Sequence, residues 1–114
     1  MKKFFKGFQY AVNGILFSMK DQVNMKVHFA AAVFVIAAGF FFSISITHWC
    51  IVAICIFAVL SLEMINTALE NLVDLVTVER NPLAGRIKDI AAGAVLVAST
   101  GSAVVGLLIF SQYV

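Results

Sequence analysis

Four oxygen-bearing side chains carry the chemistry that this sequence offers. Glu63, Asn66, Glu70 and Asp74 lie in the run Ser-Leu-Glu-Met-Ile-Asn-Thr-Ala-Leu-Glu-Asn-Leu-Val-Asp, residues 61–74. At about 100° per residue of an α-helix, spacings of three, four and four place all of them in one narrow stripe. Thr67 and Thr77 fall at its edges, and Met64, Ile65, Leu69, Leu72 and Val73 cover the other faces. The stripe continues an apolar run that begins at His48, and no Gly or Pro occurs between Trp49 and Val78, so one uninterrupted helix is predicted. A carboxylate inside a membrane helix costs several kcal/mol unless it meets protein or water, which makes Glu63 a functional candidate. The alternative is a solvated face on a helix that has already left the lipid, a reading that suits Asp74 better than Glu63.

The chemistry open to such a stripe is narrowed by what is missing. There is no Gly-x-x-x-x-Gly-Lys-Ser/Thr loop, no Gly-x-Gly-x-x-Gly, no His or Cys cluster with zinc spacing and no Gly-x-Ser-x-Gly elbow. What remains is carboxylates, an amide, and Arg80, Arg86 and Lys88 close behind them, with Asp89 next in the chain. Hard oxygen donors favour Mg²⁺, which binds through one or two carboxylates plus substrate phosphates. Phosphoryl transfer needs positioning, charge neutralisation and a base for the attacking hydroxyl, and these residue types can supply all three. The bland reading of the three cations is that they only fix topology.

The elements that must position these groups follow from composition. With 62% hydrophobic residues, 12% charged and a mean hydropathy of +1.02 over 114 residues, this is a single-domain integral membrane protein. Its expected class is all-α: an N-terminal surface helix over 1–22, then spans over 26–46, 48–78 with a cytoplasmic extension, and 87–113. In the surface helix Phe4, Phe5, Phe8, Val12, Ile15, Leu16 and Met19 recur at helical spacing opposite Lys2, Lys6, Gln9, Asn13 and Lys20. Lys6, Gln9 and Asn13 break any signal-peptide core. Residues 21–26 read as a polar hinge, and His28 at the opening of the first span reads as a packed or interfacial residue. Phe40, Phe41, Phe42 and Trp49 bracket a short outer turn. Cys50 and Cys55 read as small packing residues.

Lys2, Lys3, Lys6, Lys20 and Lys26 precede the first span, Arg80, Arg86 and Lys88 lie between the second and third, and 43–48 holds no Lys or Arg. The positive-inside rule therefore puts the N-terminus and the 79–89 link in the cytoplasm. A net charge of +2 that merely flanks the spans gives no footprint for nucleic acid. Counting from His48, Glu63 lies about 22 Å into the bilayer and Glu70 about 33 Å, so the stripe runs from lipid depth to cytosol. In the third span Ala94, Ala98, Ser102 and Gly106 form a small-residue ridge. Three thin helices shield the stripe poorly, so a homo-oligomer with the stripe facing a neighbour is expected.

Glu63-Met-Ile-Asn66-Thr-Ala-Leu-Glu70-Asn-Leu-Val-Asp74, followed by Lys88-Asp89-Ile-Ala-Ala-Gly-Ala-Val-Leu96, resembles the signature of the small bacterial membrane lipid kinases, the prokaryotic diacylglycerol kinase and undecaprenol kinase family. The resemblance covers nearly the whole chain. It implies a homotrimer in the bacterial cytoplasmic membrane, with active sites between subunits at the cytoplasmic face, moving the γ-phosphate of MgATP to a membrane lipid alcohol. By the same resemblance Glu63 is the general base, Glu70 holds Mg²⁺ and meets ATP, Asn66 positions phosphate or substrate, and Lys88 and Asp89 contact the nucleotide. Lys3 and Tyr10 align with family positions near the nucleotide, and Arg86 and Asp74 complete the candidates. Where the family usually carries a second metal-ligating Glu, this chain has Gln22, an uncharged ligand, with Asp21 beside it as the alternative. Residues 24–28 and 82–96 look more like the branch that phosphorylates undecaprenol than the one that prefers diacylglycerol. The rivals from other classes are a small ion-coupled transporter with Glu63 as its proton site, and a structural subunit whose stripe only glues helices.

Overall fold

The computed structural model describes residues 1–114, apart from the side chain of Asp21. It is all-helical: α1 Lys2–Asp21, α2 Val23–Phe42, α3 Ile46–Val76 and α4 Pro82–Phe110. The last three are long and apolar enough to cross a membrane. At 31 residues, α3 is about 46 Å long and outruns a hydrocarbon core of about 30 Å. About a third of its length, enough for the part that carries Asn66, Glu70 and Asp74, is thus more than a perpendicular crossing needs.

Each helix boundary has a local cause. Gln22 alone is extended, at φ −113° and ψ 116°, and separates α1 from α2. The break is thus one residue, where the polar composition of 21–26 reads as a longer hinge; Asn24 and Lys26 continue the helix on exposed positions. α2 ends in a left-handed residue, Ser43 at φ 51°, whose N–H donates to Phe40 O while Ile44 N–H donates to Gly39 O. This Schellman pairing satisfies two end carbonyls and turns the chain at once into α3. Ser45 caps α3 by accepting from His48 N–H at 3.3 Å. Asn81 caps α4 by accepting from Leu83 N–H at 2.8 Å, and Pro82 takes the first helical position, where its missing N–H costs nothing. The Asn-Pro pair that marks the end of one helix therefore also starts the next, and α4 begins ahead of its membrane-spanning part.

α3 is the central element, packed along α4 and against α2, with α1 touching both α2 and α3. Ile44, Val52 and Ile109 form a core at the turn end, with Trp49, Phe42 and Phe110 around it. The Trp49 ring lies against Gly39, where a Cβ would come within 2.5 Å of the indole. Tyr113 closes this end: its hydroxyl accepts from Ser45 N–H at 3.0 Å and lies 2.6 Å from His48 Nδ1. Cys50 is exposed on the protomer surface and Cys55 half-buried, so only Cys55 packs within the chain.

Candidate active site at the lower half of α3

The buried face of α3 changes character along its length. Val52 and Val59 are buried near the turn, and Glu63, Asn66 and Thr67 are buried below them. Glu63 is only 2% exposed and Asn66 4%, although a single chain surrounds them. The protomer thus shields the upper part of the stripe itself, whereas the lower part opens outward. Glu70 is half-buried and Asp74 is exposed.

Hydrogen bonds tie the stripe together. Asn66 Nδ2 donates to Glu70 Oε1 at 3.0 Å, across one helical turn. Thr67 Oγ1 donates to the Glu63 carbonyl at 3.1 Å, which satisfies a buried hydroxyl within the helix itself. Asn66 Oδ1 is buried without a hydrogen-bond partner among the described residues, an unsatisfied acceptor within the stripe. From α2, His28 Nε2 approaches Glu63 Oε2 to 3.5 Å. Sequence reading gave His28 no role. The signal was in the register: the turn at 43–45 is short, so His28 and Glu63, counted back and forward from it, come to similar depths.

Lower down, Lys88 Nζ on α4 donates to Asp74 Oδ1 on α3 at 2.6 Å. Both side chains are well exposed, so the pair contributes about 0–1 kcal/mol and is free to exchange partners. Around it lies a cavity of about 700 Å³ lined by Thr77, Glu79, Arg80, Asn81 and Gly85 among others. Asp74, Arg80 and Lys88 therefore share one mouth below Glu70. Arg86 and Asp89 are exposed on α4, and Lys3 and Tyr10 are exposed on α1. Among the described residues, none of these four forms a hydrogen bond or ion pair with the stripe. Gln22 is half-buried at the α1–α2 break, and the Asp21 side chain lies outside what the structure describes.

The donor set suits a divalent cation that arrives with phosphates more than one held by protein alone. Among the described residues no three His, Cys, Asp or Glu side chains converge on a metal position. Glu70 and the unpaired Asn66 Oδ1 do offer hard oxygen to an ion whose remaining ligands are water and phosphate.

Comparison with known proteins identifies the family of the chain. The family profile described as prokaryotic diacylglycerol kinase matches residues 9–110. An undecaprenol kinase of Bacillus subtilis is 44% identical over 110 residues, covering 96% of this chain and 89% of that protein. A diacylglycerol kinase of Synechocystis sp. is 36% identical over 100 residues, covering 87% of this chain and 57% of that protein. The match spans the buried stripe of α3, its mouth and most of the chain around them, and this chain belongs to the prokaryotic diacylglycerol kinase family.

Proposed function

We propose that this protein is an integral membrane lipid kinase that transfers the γ-phosphate of MgATP to the hydroxyl of undecaprenol, giving undecaprenyl phosphate. The observation that carries the reading is Glu63: a carboxylate buried in a membrane-length helix, one turn above Asn66 and two above Glu70, in a chain of this family. The family supports the reaction class, and the undecaprenol kinase of Bacillus subtilis supports the acceptor.

In this reading Glu63 takes the proton of the lipid hydroxyl as its oxygen bonds to the γ-phosphorus. The bond from that phosphorus to the bridging oxygen breaks and ADP leaves with the electron pair. Glu70 and Asn66 would hold the Mg²⁺ that accompanies ATP, which supplies charge neutralisation at the phosphates. Lys88 exchanges Asp74 for a phosphate oxygen, with Asp89, Arg86, Lys3 and Tyr10 on the nucleotide side. Gln22, or Asp21 beside it, would serve as the second metal contact. α1 lies along the cytoplasmic membrane surface with its phenylalanines in the head-group region, the N-terminus and active site are cytoplasmic, and three chains assemble into a trimer with shared sites.

A diacylglycerol acceptor is the second reading, favoured by the Synechocystis relative. Purified protein in mixed micelles, supplied with MgATP and either alcohol, separates the two. The expected result is phosphorylated lipid with kcat/KM higher for undecaprenol. Higher kcat/KM for diacylglycerol would move the assignment to the second reading, and no product with any lipid alcohol would leave the transporter or the structural subunit.

A further inference from the structure

We propose that His28 is a positioning residue that fixes the Glu63 carboxylate for proton abstraction. The inference rests on the reading of Glu63 as base. Among the described residues, His28 Nε2 is the one basic group within ion-pair range of that carboxylate, at 3.5 Å. The two belong to different helices, α2 and α3, and the Glu63 side chain is 3% exposed against 22% for His28. A buried carboxylate keeps two chemically equivalent oxygens, and nothing in its own helix distinguishes them. In the tautomer with its proton on Nε2, His28 donates to Oε2, sets the plane of the carboxyl group and leaves Oε1 to receive the hydroxyl proton. A base oriented by a third group is the general arrangement for activating a nucleophile. The separation is long for a hydrogen bond without substrate, and such contacts tighten once the substrate is bound.

The surroundings of the imidazole argue against packing alone. His28 lines an apolar cavity of about 620 Å³ between α2, α3 and α4, whose other walls include Val35, Phe42, Val59 and Phe110. An aliphatic side chain would fill that wall equally well. The ring nitrogen, a polar group at the head of an apolar cavity, is accounted for by the acid it faces.

The test compares His28→Leu with His28→Gln, because Gln keeps an N–H donor on a side chain of similar reach. Both are assayed as the assembled membrane protein in micelles. We expect His28→Leu to lower kcat about 10- to 100-fold, the cost of a base misplaced by about 1 Å, with the KM for MgATP unchanged. His28→Gln should recover to within about three-fold of the parent, as a retained donor predicts. If the leucine variant does not assemble, His28→Phe, a ring without nitrogen, is read in the same way. A leucine variant with the parent's kcat, equal impairment in leucine and glutamine variants, or a change confined to the KM for lipid would each overturn the inference. Its failure is separable from that of the base: an inactive Glu63→Gln beside an unimpaired His28→Leu removes only the role of His28, whereas an active Glu63→Gln removes the base itself.

Discussion

Glu63 and Asp74 carry the same functional group in two different media. Eleven residues apart on α3, one is buried at 2% exposure and the other is paired with Lys88 in water. In the proposed reaction that gradient would let one helix address a membrane alcohol at one end and a nucleotide at the other. Between them Asn66 is polarised: its amide N–H is committed to Glu70, and its Oδ1 is unpaired. Replacing Asn66 by Leu should cost more activity than stability, about 10- to 1000-fold in kcat, as expected for a group that acts on the transition state; a kinetic assay beside a thermal melt in detergent checks this. As the proposed second metal contact Gln22 offers an uncharged amide, so Gln22→Glu should preserve or raise the rate, most visibly when Mg²⁺ is limiting. A collapse of activity in a normally folded Gln22→Glu protein would refute that assignment. The stripe itself was legible in the sequence because a helical period is a local property. His28 was not, because its meeting with Glu63 depends on how two helices align across a turn.

At the scale of elements, the α2–α3 hairpin sets that alignment. Gly39 gives the Trp49 ring its place, and a Cβ there would come within 2.5 Å of the indole, a rigid group with no easy retreat. Gly39→Ala should therefore destabilise the protein by about 1–3 kcal/mol, the usual cost of overpacking. It should also reduce activity by shifting α2, and with it His28, against α3; a melting curve and kcat of the same preparation test both parts. The helices were readable from apolar runs and from the Asn-Pro break, since composition and capping chemistry are local. The single-residue break at Gln22 was not, because a polar stretch at a membrane surface is equally compatible with an exposed helix face. The Asp74–Lys88 pair joins two helices across the 77–81 link, and neither residue's pattern within its own helix announces the other.

The whole protomer is thin, 51 × 42 × 20 Å, and most of its large apolar side chains are exposed. In a membrane protein that surface faces lipid or other subunits. The protomer already buries Glu63, so oligomerisation is not needed to hide the base; it would serve to complete the open lower site around Glu70 and Asp74. Detergent-solubilised protein should show a protein mass three times the 12.4 kDa of one chain, and a monomeric mass with full activity would remove the shared site from the reading. The central claim is that a buried acid on the longest helix activates a lipid alcohol for phosphorylation. The most direct measurement is the transfer of labelled γ-phosphate from MgATP to undecaprenol by the parent protein and by Glu63→Gln, each verified as the same assembly. Loss of the base predicts a fall in kcat of about 100- to 10,000-fold with MgATP affinity retained. Transfer by Glu63→Gln at the parent's rate would contradict the account.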